Sequence, residues 1–383
     1  MTADEAARAV RAADRTGSLG MISAEANPPY DRPPLTKGLW KGMPEEKVWR
    51  GTDTLGVDLH LGRQAQVLDA TRKRVADDQG DVYTYEKLLL ATGGRPRHLP
   101  FDHDPSDVVY YRTLRDYRRL VQMTERKQRF AVVGGGFIGS EIAAALAMNG
   151  QDVVMIFPEQ GVGGLFFPTG LAQFLNQYYR DRGVEVRNGR LVEGLAKQDG
   201  QTVLKLDDQS TVAVDGVIAG LGIQPNTELA EFAGLKIDDG IVVDQFLRTS
   251  EADIFAAGDV ALFPDPLLGV RRRVEHEDNA IHMGQVAGRA MAGDPVPYDH
   301  SPYFYSDLFD LGYEAVGELN SKLETVSDWQ EEYEKGVVYY LQDGRVRGVL
   351  LWHVWDQIDA ARELMAEPAP VAAADLMGRL PAS

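Results

Sequence analysis

The chain has 383 residues, enough for two or three domains with cores of their own. It is 44% hydrophobic and 26% charged, with 40 Lys+Arg against 58 Asp+Glu, a net charge of −18 and no cysteine. A surface this acidic repels phosphate backbones and anionic bilayers, which argues against nucleic-acid and membrane partners, and the lack of thiols excludes a redox-active CxxC pair, a cysteine nucleophile, a thiolate-held iron–sulfur cluster and a Cys-ligated zinc.

Glu5–Arg11 predicts a helix within the first residues, capped by Thr2 or Asp4. The N-terminus shows no apolar signal core, and no apolar run reaches the about 18 residues of a membrane span, so a cytoplasmic protein is expected. A short strand over Ser18–Ser23 then leads to Glu25. A helix feeding a strand that ends in an acid is the second half of a βαβ nucleotide-binding unit. Asn27–Trp40 holds four prolines, which forbid a regular helix or central strand and predict a rigid, irregular segment of the kind that holds side chains at a site. Strands are predicted at Asp58–Gly62, Gln64–Asp69, Val82–Tyr85 and Lys87–Ala91, the last stopped by the turn Thr92–Pro96.

A second unit starts near Arg129. Phe130–Val133 reads as a buried strand, Gly134–Gly139 matches G-x-G-x-x-G, and an Ala-rich helix runs from Ser140 to Asn149, closed by Gly150. Asp152–Phe157 is the next strand, and Glu159 lies 20 residues beyond Gly139. Strand, glycine turn, helix and acid together are the full context of a dinucleotide fold. The glycines let backbone approach a pyrophosphate, and the helix N-terminus faces its charge. Glu159 would accept from a ribose 2′-OH and repel a 2′-phosphate, favouring NADH, although the expected strand-end position is Phe157 and Glu159 sits past Pro158. Further strands are predicted at Val184–Arg187, Val203–Leu206 and Val212–Leu221, with an exit at Pro225-Asn226. Ile254–Asp259 reads as a strand ending in Gly-Asp, where the Asp259 carboxylate can accept from a polyol such as a ribityl chain. A helix over Ala280–Met291 closes that region. From Ser301 the pattern turns to aromatic-rich strands, including Gly336–Leu341 and Val346–Trp352, with a last helix near Gln357–Met365. The Ala- and Pro-rich stretch from Pro368 to Ser383 is expected to be disordered.

These motifs resemble the FAD-dependent pyridine nucleotide oxidoreductases, and within them apoptosis-inducing factor and the bacterial ferredoxin and rubredoxin reductases. The segments that carry the resemblance are Pro29–Lys37, Ala91–Pro96, Val133–Glu141, Ile254–Asp259 and Arg273–Asp278, with Tyr305–Leu308, Gly312–Glu314 and Gly348–Trp352 of the apoptosis-inducing-factor type. The resemblance implies an α/β fold of two Rossmann-like dinucleotide-binding domains, for FAD and NAD, plus a C-terminal α+β domain. The implied boundaries are 1–110 and 227–298 for the FAD domain, 111–226 for the NAD domain, 299–366 for the C-terminal domain and 367–383 for the tail.

By the same resemblance Glu25, Arg32, Lys37, Ala65, Arg112 and Asp259 contact FAD, with Glu275 and His276 at the flavin's pyrimidine end. Gly134, Gly136, Phe137, Ile138, Gly139, Glu141, Glu159 and Gly222 belong to the nicotinamide cofactor site, with Phe137 as an aromatic gate. Tyr305 and Trp352 are aromatic candidates for cofactor contact, with core packing as the alternative. Lys37 and Glu141 would form a catalytic ion pair beside flavin N5. Hydride arrival makes the flavin anionic, a buried ammonium stabilises that charge, and a neighbouring carboxylate keeps the lysine charged and oriented.

The implied function is hydride transfer from NADH to FAD, then electron transfer to an external acceptor, since no internal thiol can take the electrons. That acceptor is an iron–sulfur protein, a quinone or oxygen. The alternative is a redox-sensing interaction protein with slow NADH oxidation, and a homodimer is left open. The family's first strand and its flavin glycine loop have no counterpart in the sequence. Either the start lies upstream or the flavin pyrophosphate loses these donors, and poor flavin occupancy is expected of the chain as it stands.

Overall fold

The computed structural model describes residues 1–126 and 128–380, which fall into two units. The first comprises Met1–Arg32, Pro44–Arg95 and Gln224–Tyr303; the second comprises Pro33–Met43, Pro96–Ile223 and the chain from Phe304 onward.

Small residues set the packing of the first unit. Helix Thr2–Ala13 lies on helix Glu277–Met291 at two glycines: a Cβ on Gly284 would meet the Thr2 carbonyl oxygen at 2.5 Å, and one on Gly288 the Ala6 carbonyl oxygen at 2.4 Å. Only glycine lets the two backbones come this close. The long helix begins at Glu277, with His276 as N-cap, three residues before the predicted start. Two parallel strand pairs follow the sequence reading, Gly20–Ser23 with Asp58–Leu61 and Ile254–Ala256 with Leu88–Leu90. Ala65–Asp69, Arg74–Asp77 and Val82–Thr84 form an antiparallel sheet. Its middle strand escapes the sequence reading because Arg-Val-Ala-Asp carries too little apolar pattern to announce a strand. Leu68, Leu90, Ile254, Val260, Phe263 and Met283 share the unit's core.

The second unit holds a five-stranded parallel sheet in the order Val184–Asn188, Asp152–Phe157, Arg129–Val133, Gly216–Ala219, Val108–Tyr110. The predicted strand Val212–Leu221 is in fact two. Thr211–Val214 pairs antiparallel with Gln201–Leu206, whereas Gly216–Ala219 enters the parallel sheet. The apolar run looks continuous, but it changes sheets at Asp215, whose carboxylate accepts from the Arg129 backbone N–H at 2.8 Å. A C-terminal antiparallel sheet follows in the order Tyr303–Leu308, Leu311–Gly317, Arg345–Trp352, Lys335–Gln342, Glu324–Glu331.

The tail corrects the expectation of disorder. The Val371 N–H donates to the Gly344 carbonyl at 2.8 Å, Ala373–Leu376 is a helical turn, and the Gly378 N–H donates to Asp328 Oδ2 at 2.7 Å. Leu376 and Leu380, four residues apart, are both buried. Composition averages hide that pair, and it is what docks the segment. The last three residues of the expected tail lie outside the described residues. Among the described residues no helix is long and apolar enough to cross a membrane.

Candidate active site

The glycine loop of the second unit is shaped by close approach on one side and openness on the other. Gly134 turns with φ +111°, and a Cβ on it would meet the Gly220 carbonyl oxygen at 2.4 Å; one on Gly139 would meet the Gly134 carbonyl oxygen at 2.0 Å. A Cβ on Gly136, by contrast, would meet nothing within 4 Å. Gly136 is the N-cap of helix Phe137–Met148, and no side chain caps that end. The uncapped first turn thus opens beside a position with space next to its backbone, the setting in which a helix N-terminus receives a phosphate. Ile138 is exposed in this first turn. Gly222 is exposed with φ +78° and its carbonyl accepts from the Arg97 N–H at 2.9 Å. Glu159 is half-buried just past strand Asp152–Phe157, and its main-chain carbonyl accepts from the Gly189 N–H at 2.9 Å.

Glu141 lies in the second turn of the same helix and is buried. Its Oε1 accepts from Lys37 Nζ at 2.6 Å and from Ser306 Oγ at 2.5 Å, and its Oε2 from Thr36 Oγ1 at 2.5 Å. Lys37 is placed by the proline-rich segment: Pro33–Leu35 makes a 3₁₀ turn, and Trp40 Nε1 and the Tyr111 hydroxyl both donate to the Leu35 carbonyl beside it. Tyr305 turns its ring toward Lys37 Nζ, 5.2 Å from the centroid. Burial, reinforced by the charge of Glu141, pushes the Tyr179 and Tyr313 phenols well above their ordinary range, so both stay neutral. Sequence reasoning found Lys37 and Glu141 but missed Thr36 and Ser306. The signal was present, since each adjoins a singled-out residue, Lys37 and Tyr305.

Phe137 stacks face to face on Phe166, with centroids 4.3 Å apart and planes 7° apart, and meets Phe304 edge-on at 5.2 Å. Phe166 and Phe304 are further residues that the sequence reading did not single out. Trp352 is a correction. It is fully buried, stacks on Tyr313, packs edge-on against Phe167 and donates its indole N–H to the Tyr333 carbonyl at 2.8 Å. A side chain with no exposed surface and a satisfied N–H is core and has no face to offer a cofactor.

In the first unit Glu25, Tyr30 and Arg32 come together. The Tyr30 hydroxyl donates to Glu25 Oε2 at 2.6 Å, and Arg32 donates to Glu25 Oε1 and, at 3.1 Å, to the Tyr30 hydroxyl. Burial works against the Arg32 charge, but Tyr30, Glu25 and Asp259 outweigh it and hold the guanidinium above its ordinary range. Asp259 follows Gly258, which turns at φ +76° and could not carry a Cβ without striking Thr2 Oγ1 at 2.4 Å. Glu275 pairs with Arg273, and His276 is half-buried at the helix N-cap. Ala65 opens strand Ala65–Asp69 and packs against the core of this unit. Arg112 lies in the second unit, its N–H donating to Asp116 at 3.2 Å where Thr113 caps helix Leu114–Met123.

The open side of Gly136 and the uncapped helix turn fit a dinucleotide's pyrophosphate. The Glu25–Arg32–Asp259 set offers acceptors for ribose or ribityl hydroxyls and a cation for phosphate, which fits FAD. A doubly wound unit whose glycine loop leads into a helix carrying a buried Glu–Lys pair defines a nucleotide-dependent oxidoreductase. The chain matches the family described as "Pyridine nucleotide-disulphide oxidoreductase" over residues 4–284, and "Apoptosis-inducing factor, mitochondrion-associated, C-term" over 287–331 and 327–367. It is 35% identical over 394 residues to apoptosis-inducing factor 1, mitochondrial, of Dictyostelium discoideum, covering 92% of this chain and 74% of that protein. It is 33% identical to the anthranilate 1,2-dioxygenase system ferredoxin–NAD(+) reductase component of Burkholderia cepacia, covering 95% and 91%. A solved covalent putidaredoxin reductase–putidaredoxin complex has a chain that superposes with a TM-score of 0.89 at 29% identity, covering 96% of this chain and 91% of that one. The chain belongs to the pyridine nucleotide-disulphide oxidoreductase family, as an FAD-dependent NAD(P)H oxidoreductase with a C-terminal domain of the apoptosis-inducing-factor type.

Proposed function

We propose that this protein oxidises NADH and delivers the electrons singly to a small iron–sulfur protein. The observation that carries this is the Lys37 ammonium fixed on Glu141, one turn beyond a glycine loop open to a nucleotide. In the net reaction NADH loses a hydride, two molecules of oxidised iron–sulfur protein each gain one electron, and one proton is released. Bound FAD supplies the exchange between a two-electron donor and one-electron acceptors. With no cysteine, nothing in the chain stores the electrons as a dithiol.

Each residue has a role in this reading. Gly136 and the first turn of its helix receive the NADH pyrophosphate, and Glu159 accepts from the adenosine ribose. Phe137 leaves its stack on Phe166 as the nicotinamide arrives. Lys37 holds its positive charge where the flavin ring becomes negative, and Glu141, fixed by Thr36 and Ser306, keeps that ammonium oriented. Arg32, Glu25 and Asp259 hold FAD, with Arg112, Glu275 and His276 as further contacts.

The test is NADH turnover by the FAD-loaded protein with and without a [2Fe–2S] ferredoxin, reported by cytochrome c. Ferredoxin-dependent turnover is expected. Full reduction of the flavin by NADH, with turnover no faster when ferredoxin is present, would overturn the acceptor. The match of residues 287–367 to the apoptosis-inducing-factor C-terminal domain favours a second reading, redox-sensing recruitment of a protein partner. That reading expects slow NADH oxidation and an NADH-dependent change of mass in solution.

A further inference from the structure

Outside the nucleotide loops, three side chains of the first unit converge with no role in the chemistry above. Asp278 and His282 are one turn apart on helix Glu277–Met291, and His300 comes in from the segment that follows it. His282 Nδ1 lies 3.1 Å from Asp278 Oδ1, and His300 Nε2 lies 2.5 Å from Asp278 Oδ2. The two imidazoles stack with centroids 3.7 Å apart and planes 13° apart. We propose that Asp278, His282 and His300 form a binding site for a divalent transition-metal ion of the zinc class.

The donor set suits such an ion. Two imidazole nitrogens and one carboxylate oxygen are the three-ligand set that zinc completes with water in a tetrahedron, whereas calcium and magnesium call for oxygen alone. The spacing suits it as well. Ligand atoms of the three residues all lie within 4.8 Å of one another. Tetrahedral bonds of 2.0–2.1 Å would set them about 3.3 Å apart, so a pair at the 4.8 Å limit closes by about 1.5 Å, while His300 Nε2 and Asp278 Oδ2, now 2.5 Å apart, open by about 0.8 Å as the rings fan slightly out of their stack.

A backbone contact holds the carboxylate: the Tyr303 N–H donates to Asp278 Oδ2 at 3.1 Å. Binding through His282 Nδ1 would take that nitrogen from the Asp278 main-chain carbonyl, 2.9 Å away. An entry path exists because the His282 side chain is 40% exposed, while Asp278 at 12% is sheltered. The other close histidines, His98 and His103, gather around the Tyr110 phenol instead, His98 stacked on its ring and His103 on its hydroxyl. In a chain without disulfides, an ion here would tie the first turn of the helix, two residues past His276, to the segment around His300 within the first unit.

The test is equilibrium dialysis and calorimetry of the FAD-loaded full-length protein against Zn²⁺ at pH 7.5 and 5.5. One ion per chain is expected at pH 7.5, with loss at pH 5.5 as protons compete for the imidazoles. His282→Ala and His300→Gln should each weaken binding at least about tenfold, and Zn²⁺ should raise the Tm of the wild type but not of either variant. His282→Ala is the deciding variant, since its exposed ring can be removed with the least risk to folding. No retained ion, or affinity undiminished in either variant, would overturn the site.

Discussion

Removing both partners of the Lys37–Glu141 pair should cost less than the two single removals added together. The Nζ–Oε1 distance is 2.6 Å, with the side chains 14% and 5% exposed. A pair this buried falls in the range where loss of one partner costs about 3–5 kcal/mol through the charge left behind. Lys37→Met leaves Glu141 with the Thr36 and Ser306 hydroxyls still donating. Those remaining bonds place the cost near the low end, at about 3 kcal/mol. Glu141→Gln leaves an ammonium with a little water access beside the Tyr305 ring, which suggests about 2 kcal/mol. The neutral pair in Lys37→Met/Glu141→Gln should lose only about 2 kcal/mol, giving a coupling energy of about 3 kcal/mol. Urea unfolding of the FAD-loaded proteins, followed by tryptophan fluorescence, measures all four corners of the cycle. Additivity within about 0.5 kcal/mol would show that the two charges do not sustain each other, and the pair would lose its place in the proposal. The same Lys37→Met protein should reduce its flavin with NADH at least about a hundredfold more slowly in stopped flow, the usual cost of losing one preorganised donor. A wild-type rate would remove Lys37 from the reaction.

Gly139→Ala puts a Cβ 2.0 Å from the Gly134 carbonyl oxygen, so it should disrupt the loop and abolish NADH binding, whereas Gly136→Ala should fold normally and bind NADH weakly, its methyl standing in the open cradle. Fluorescence titration with NADH separates these outcomes, and wild-type affinity in both would mean the cradle is not the nucleotide site. Glu159→Ala should narrow the preference for NADH over NADPH by about tenfold in kcat/KM; an unchanged ratio would show that the carboxylate does not face the ribose. Phe166→Ala should speed flavin reduction at low NADH by loosening the Phe137 stack, and an unchanged rate would show that the stack is no barrier. Burial works against the Asp77 charge, but Arg63, Tyr83 and the Asp81 and Gln79 backbone N–H groups outweigh it and bring its pKa down from 3.8 to about 2. A depressed carboxylate stabilises the fold above its unfolded pKa and loses that contribution as pH falls through the folded one. Asp77→Asn should therefore flatten the fall in stability between about pH 4 and pH 2, and an acid-unfolding curve parallel to wild type would contradict this.

Much of the site was legible because glycine and proline leave strong marks. The loop at Gly134–Gly139, the turn at Gly258-Asp259 and the rigid segment before Lys37 each announce a backbone constraint that few folds impose. The only mark that Thr36 and Ser306 carry as partners of Glu141 is that each adjoins a singled-out residue, because a hydroxyl in an irregular segment or a strand has no periodicity to expose it. Trp352 stayed open between cofactor and core because an indole on a strand looks alike in both, and its complete burial favours the core. The split at Asp215 and the docked tail were missed for a shared reason. Both depend on what the chain packs against many residues away, the Arg129 N–H in one case and the sheet residues Gly344 and Asp328 in the other.

Phe157 holds the strand-end position where a nucleotide fold of this kind often places its acid, and the glycine loop stands on its ring: a Cβ on Gly135 would come within 2.8 Å of it. An attempt to redesign the coenzyme preference by importing the acid, or a basic replacement, at position 157 would pull out the pedestal and collapse the loop before it altered selectivity. The tolerant positions for such engineering are those past Pro158, where Glu159 already sits off the strand. Variation between NADH and NADPH users of this architecture is then expected to drift in the turn after the strand, with an aromatic ring kept beneath the loop.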